Sequence, residues 1–204
     1  MTIDKEKENS YPILFENCTE VVWVIGYGGA GKSTLSQVLQ EEFGFTRVEL
    51  GAKVNSSYKR YVSEAVGQPL SILDWIRQEI RGGEERFSQD LLRLHLEENP
   101  QDIQASKVVI PSMRSINGLN AIKRMFPNAK HTLIYVKSSR DVRADRIAKR
   151  ESKDYGLGLM IERDNMEDES GMMEVIKMAD IIIENDIVNL DPFILKIREL
   201  FNQE

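Results

Sequence analysis

The segment that most constrains this chain begins at Val21. Five consecutive apolar residues, Val21-Val22-Trp23-Val24-Ile25, run without a break into Gly26-Tyr27-Gly28-Gly29-Ala30-Gly31-Lys32-Ser33. An apolar run with no polar alternation is the pattern of a strand covered on both faces, as in a parallel α/β sheet. The glycines behind it let the chain reverse with its N–H groups turned inward and no Cβ in the way. Beyond them Leu35, Val38, Leu39 and Phe43 fall at helical spacing, and Gly44 ends the pattern. The order strand, glycine turn, helix sets the free N–H groups and positive dipole end of a helix at the end of a strand, which makes an anion site out of backbone.

The same alternation continues downstream. Further strands are expected at Arg47–Leu50, stopped by Gly51, at Lys107–Ile110, ended by Pro111, at Thr132–Val136 and at Ile181–Ile183. Residues 52–99 read as mostly helical, with one face set by Tyr58, Tyr61, Val62 and Ala65 and with breaks at Pro69 and Gly82-Gly83. Helices are also expected over about Asn117–Phe126, Asp141–Arg150, Met173–Met178 and Pro192–Phe201. Short apolar strands alternating with amphipathic helices predict a parallel sheet with right-handed crossovers. Residues 1–19 are polar, contain Pro12, and read as a tail or a short arm packed on the domain; residues 20–204 read as one domain.

Gly26 to Ser33 fits G-x-x-x-x-G-K-[ST], the P-loop pattern, and it lies between a strand and a helix as that pattern requires. A chance match in about 200 residues is of order 1% from average residue usage. The loop calls for a nucleoside triphosphate, ATP with Mg²⁺. Gly26, Gly28, Gly29, Ala30, Gly31, Lys32, Ser33 and Thr34 would cradle it, Lys32 would reach the β- and γ-phosphates, and the Ser33 hydroxyl would ligate the metal. The expected fold is therefore α/β, a three-layer P-loop NTPase fold around a five-stranded parallel sheet.

Composition narrows the setting. The 204 residues carry a net charge of -6, which disfavours a broad nucleic-acid footprint but leaves room for a local cationic pocket. A single cysteine, Cys18, allows no internal disulfide and no zinc site of its own. Met1 to Asn9 has mixed charges and no apolar run, and nothing approaches the ~20 apolar residues of a membrane span. A soluble, cytoplasmic protein without membrane partners is the expectation.

Taken together the chain resembles the nucleoside monophosphate kinase branch of P-loop kinases: adenylate kinase-like, dephospho-CoA kinase-like and phage-type deoxynucleoside monophosphate kinases. The resemblance runs from Val21 to the C-terminus. It is carried by Gly51, by Arg114-Ser115 after the third strand and by Asn117. Arg143, Arg146 and Arg150 on the helix after the fourth strand, Arg163-Asp164 in a charged lid over about 151–170, and Ala179-Asp180 before Ile181–Ile183 and Asn185 complete it. It implies that Lys32, Arg146, Arg150 and Arg163 act in catalysis and that Asn185 lies in the base-binding loop. Gly51, Arg86 and Arg114 would then meet the acceptor, a small-molecule nucleotide held by helices over about 52–99. The arginines suit that chemistry, because phosphoryl transfer spreads negative charge that planar guanidinium groups match; positions 143, 146 and 150 share one helix face.

The chain departs from that pattern in two places. Ile110-Pro111-Ser112 offers no carboxylate where one helps to hold Mg²⁺, and Ala52-Lys53-Val54-Asn55 stands where an Asp and an Arg are usual. Lys53, Lys59 and Arg60 could take over phosphate binding, or the acceptor differs. A monophosphate acceptor is already anionic and needs no base, only alignment and charge neutralisation. A hydroxyl acceptor, dephospho-CoA or a nucleic-acid end, gains from a carboxylate base, for which Glu49, Asp74 and Asp90 are candidates. A nucleotide-dependent switch is the rival class, favoured by the missing acid, although the N-K-x-D guanine pattern is absent. His95, His131, Trp23, Trp75 and Tyr58 read as core or surface residues.

Overall fold

The computed structural model describes residues 14–151, 157–186 and 190–202. Five strands form one sheet in the order β2-β3-β1-β4-β5: β1 (Glu20–Ile25), β2 (Thr46–Arg47), β3 (Lys107–Pro111), β4 (Lys130–Lys137) and β5 (Ile181–Glu184). Every pairing is parallel, with Val22 opposite Val109 on one side and Thr132 on the other.

The uninterrupted apolar run of β1 is explained by its central position. Val21, Trp23 and Ile25 face one layer and Val22 and Val24 the other, and all five are buried. On the first face they pack with Leu92 of α3 (Ile72–Glu98) and Leu119 and Ile122 of α4 (Ile116–Lys123). On the second they meet Leu35 and Leu39 of α1 (Lys32–Phe43) and Phe193 and Ile197 of α8 (Asp191–Phe201). The result is the three-layer α/β arrangement expected. Trp23, fully buried, also donates its Nε1–H to Nδ1 of the half-buried His131 at 3.1 Å, which gives both residues a structural role. His95 is likewise structural, its Nε2 lying 2.8 Å from Asp102.

Local signals set the element ends. Gly44 closes α1 with φ 72, and its N–H bonds Leu39 O. Ser71 caps α3 by accepting from Asp74 N, and Ser115 caps α4 by accepting from Gly118 N. Gly83, at φ 143 and ψ 86, is non-helical and kinks α3 into two helical stretches, at the break expected from Gly82-Gly83. The second strand is shorter than expected. It stops at Arg47, and Leu50 already opens α2 (Leu50–Glu64), so Gly51 sits in the first helical turn instead of closing a strand. Val48 still donates to Val109 O, and Val48 and Leu50 are both buried. An apolar run that passes from sheet edge to helix looks like a continuous strand in sequence.

Of the N-terminal segment, residues 1–13 lie outside the described residues. Phe15 and Cys18 are fully buried, and Phe15 stacks on Phe126 with ring centroids 4.1 Å apart. The remaining helices are α5 (Arg140–Glu151), α6 (Leu157–Glu169) and α7 (Met172–Ile176); residues 152–156 of the expected lid lie outside the described ones. Among the described residues no helix is long and apolar enough to cross a membrane.

Candidate active site

The loop emerges from the carboxyl end of β1, the central strand, where the chain order of its neighbours switches direction between β3 and β4. Open α/β sheets bind ligands at this crevice. A cavity of about 540 Å³ opens there, lined by Gly28, Gly29, Gly31, Lys32, Ser33 and Thr34 together with Glu49, Gly51, Ser112, Arg114, Arg146, Arg150, Arg163 and Asn185. Lys32 Nζ donates to Gly26 O at 2.5 Å and Tyr27 O at 3.0 Å. Loss of solvation pushes its ammonium down to about 8; Arg114, Arg163 and Arg143 push the same way and Glu167 opposes them.

Gly31 must be glycine. Its φ is 110, and a Cβ there would lie 2.4 Å from Asn185 Nδ2. Asn185 is fully buried beneath the loop; its Nδ2 donates to Ala30 O at 2.7 Å and its Oδ1 accepts from Arg146 Nη2 at 3.2 Å. The amide thus braces the loop, and the residue also lines the cavity there.

Arg143, Arg146 and Arg150 of α5 do share a face, but they run from buried to exposed. Arg143, 3% exposed, grips Asp164 with two bonds of 2.8 and 2.7 Å and donates to Gly28 O. Arg146 is half-buried and donates to Gly29 O and Ala30 O, while Arg150 lies at the exposed rim. Burial raises the Asp164 carboxyl, but Arg143 and Arg140 outweigh it and hold it below its ordinary value. The neighbouring Arg163 turns the other way and presses on the loop: a Cβ on Gly28 would lie 2.8 Å from its Cζ. Tyr27 adds a third tie from loop to α6, donating its hydroxyl to Asp168 at 2.5 Å; burial and that bond raise its pKa.

Beside this cavity lies a second, narrower one of about 70 Å³. Its floor is apolar, from Val54, Ile76, Ile80, Phe87, Leu91 and Met113, and its rim carries Ser88, Ser112, Arg114, Ser115 and Glu84. Gly51, Ser112 and Arg114 line both cavities. Ser112 is the one non-glycine among the described residues with positive φ, 92, a conformation that costs about 1–3 kcal/mol and persists where surroundings impose it.

Residues 22–171 match the family AAA_18, whose description is AAA domain. The chain belongs to this family. It is 27% identical over 176 residues to a UPF0200 protein of Thermococcus sibiricus, covering 81% of this chain and 86% of that one. It is 25% identical to a UPF0200/UPF0201 protein of Archaeoglobus fulgidus over 89% of its own length but about half, 54%, of that relative. Among solved structures, TT1252 from Thermus thermophilus superposes with a TM-score of 0.59 at 20% identity, covering 92% of this chain and 99% of that one. A shikimate kinase from Bacteroides thetaiotaomicron gives 0.54 at 16%, covering 90% and 98%. The shared fold is the three-layer α/β P-loop NTPase fold.

Within this AAA-domain chain the structure brings most of the expected residues together at one edge, with Arg86 an exception. It is 64% exposed on α3, 4.0 Å from Asp90, and lines neither cavity at the sheet edge. Lys53 is buried against Glu98, and Arg60 pairs with Glu64 at 2.9 Å, so neither faces these cavities. Of the three carboxylates considered as bases, only Glu49 lines the cavity at the loop; Asp74 accepts a hydrogen bond from Ser71, the cap of α3, at 2.7 Å. Trp75 packs with Tyr58, Tyr61 and Phe87 in a ring cluster. Sequence reasoning missed Tyr27, which looked like a variable loop position, and Glu167. That glutamate is 1% exposed behind Arg114 and Arg163, at 3.5 and 3.7 Å. Its i,i+4 spacing from Arg163 was the available signal.

Proposed function

We propose that this chain is an ATP-dependent phosphotransferase that moves the γ-phosphoryl group to a small acceptor, most simply a (deoxy)nucleoside monophosphate. The observation that carries this reading is the shared wall: Gly51, Ser112 and Arg114 border both the phosphate cavity and the apolar one. An acceptor whose apolar ring system fills the narrow cavity would present its phosphate at Arg114, beside the triphosphate. Such a phosphate is already anionic near pH 7 and requires alignment and charge neutralisation instead of a base. The fold shared with kinases supports phosphoryl transfer in general.

The chain's own groups divide the work. Loop N–H groups and the start of α1 hold the β-phosphate region. Lys32 would leave its loop carbonyls for the phosphates, and Arg114 and Arg163 would take up charge developing on the transferred group. Arg146 and Asn185 keep the loop in shape, and Arg150 stands at the rim. Ser33 fits Mg²⁺, because it lines the cavity at the helix start; a metal held by that hydroxyl, phosphate oxygens and water needs few protein ligands and would neutralise phosphate charge.

A second reading, a hydroxyl acceptor, is favoured by Glu49 at the same cavity. One experiment separates the readings. The protein is incubated with MgATP and a panel of nucleoside monophosphates, dephospho-CoA and oligonucleotides while ADP is followed. Turnover dependent on a monophosphate is expected, and Lys32→Ala should lower it at least about 100-fold. Glu49→Gln should cost under about 3-fold with a monophosphate, against about 100-fold or more if the acceptor is a hydroxyl that needs a base. Slow hydrolysis indifferent to every acceptor would sink the phosphotransferase reading in favour of a switch.

A further inference from the structure

The end of β3 carries no acid, yet a carboxylate reaches this region from elsewhere. Glu167 projects from α6, 1% exposed, and neither of its oxygens has a hydrogen-bond partner among the described residues. Its nearest cations are Arg114 Nη2 at 3.5 Å and Arg163 Nε at 3.7 Å, ion-pair distances too long for hydrogen bonds. Asp164, one turn earlier on the same helix, shows what a structural pair looks like here, with Arg143 locked on both oxygens at 2.8 and 2.7 Å. Glu167 is equally buried but loosely held. A buried carboxylate without hydrogen bonds is costly, and here it sits among cations from three separate elements, Lys32, Arg114 and Arg163.

We propose that Glu167 is a positioning residue whose carboxylate stands in for phosphate between Arg114 and Arg163. It holds the acceptor-side and α6-side guanidiniums at the cavity until a phosphoryl group takes them over. The inference rests on the phosphotransferase reading for its role in turnover, but its charge competition is independent of any acceptor. Without Glu167 the two guanidiniums repel each other and Lys32, and spread. With it they are gathered, and the hold of Glu167 itself, at 3.5 and 3.7 Å, is loose enough to be given up.

Opposite signs in binding and turnover would mark this role. In Glu167→Gln, which keeps the shape and removes the charge, inorganic tripolyphosphate measured by calorimetry should bind about 5-fold tighter, because the competing anion is gone. Phosphoryl transfer from MgATP to the best monophosphate of the panel should fall about 10-fold or more in kcat, because the arginines are no longer placed. In an Arg114→Gln/Arg163→Gln background the same substitution should change tripolyphosphate affinity by under about twofold, since its targets are missing. Weaker binding and slower turnover together, or the same affinity change in both backgrounds, would reduce Glu167 to a packing residue and overturn the inference.

Glu167→Asp, which keeps the charge but shortens its reach, carries the test if the glutamine variant does not fold. Near wild-type affinity with a lowered kcat supports the role, and an unchanged kcat refutes it. A wild-type protein that binds tripolyphosphate but transfers to no acceptor defeats the phosphotransferase reading alone, and the binding comparison still decides Glu167. A wild-type protein that fails to bind tripolyphosphate overturns both.

Discussion

Lys32 illustrates how a single side chain is tuned by its surroundings. Its ammonium is drawn out of water among loop carbonyls and sits near three arginines, which together bring its pKa to about 8. The charged form is the one that attracts a triphosphate, so binding should be strongest below that value and weaken as pH rises through it. The ligand's own phosphates are fully ionised over pH 7.5–9.5 by ordinary phosphate chemistry, so the change in that window belongs to the protein. Affinity for ATP measured across it should fall, and a flat profile would contradict the environment assigned to Lys32. Gly31 is the other residue-scale constraint: with φ 110 and Asn185 2.4 Å from any Cβ, it admits no side chain. The glycine pattern was plain in the sequence, but the asparagine that enforces it stands 154 positions away.

At the scale of elements the decisive contact is that between α5 and α6. Arg143 and Asp164 are both about 97% buried, and breaking such a pair by removing one partner leaves an uncompensated buried charge, a loss of about 3–5 kcal/mol. The Arg198–Glu42 pair between α8 and α1 is just as short, 2.7 Å, but its side chains are 49% and 34% exposed, and solvent screening leaves pairs of that kind little weight in stability. Asp164→Ala should therefore destabilise the protein by several times as much as Arg198→Ala. Hydrogen exchange should show early loss of protection over α6, with the sheet retaining its own. Equal effects of the two substitutions would mean that α6 is not anchored through Asp164. The Arg-Asp pair at 163–164 was visible as a motif, but not that its two members face opposite ways, one into the helix contact and one onto the loop.

For the whole molecule, ligand binding and folding are linked. A nucleotide that binds only the folded chain stabilises it by about 2.7 kcal/mol at 100 times Kd, which for a chain of this size corresponds to a rise in Tm of about 5–10 °C. MgATP should produce that rise in the native protein and none in Lys32→Ala. An unchanged melting temperature at saturating MgATP would remove the triphosphate site from the account. The same linkage provides a route to the acceptor, because a true acceptor should raise Tm further when added with ADP.

The sequence by itself determined the β1–loop–α1 unit, the parallel sheet and the triphosphate loop. Those depend on local rules: an unbroken apolar run, glycines where backbone must turn, and a Lys-Ser at the helix start. It also singled out Arg146, Arg150 and Arg163 as catalytic candidates and Arg114 as an acceptor contact, and all four line one cavity at the loop. Only the tertiary structure decided that Arg86 faces solvent, that Asn185 braces the loop, that Gly51 belongs to a helix, and that Glu167 lies behind two arginines. The Asn185 brace and the approach of Glu167 to Arg114 depend on which distant element packs alongside. Burial and pairing across more than fifty residues leave no periodic trace in the chain, whereas the loop writes its requirements into eight consecutive positions.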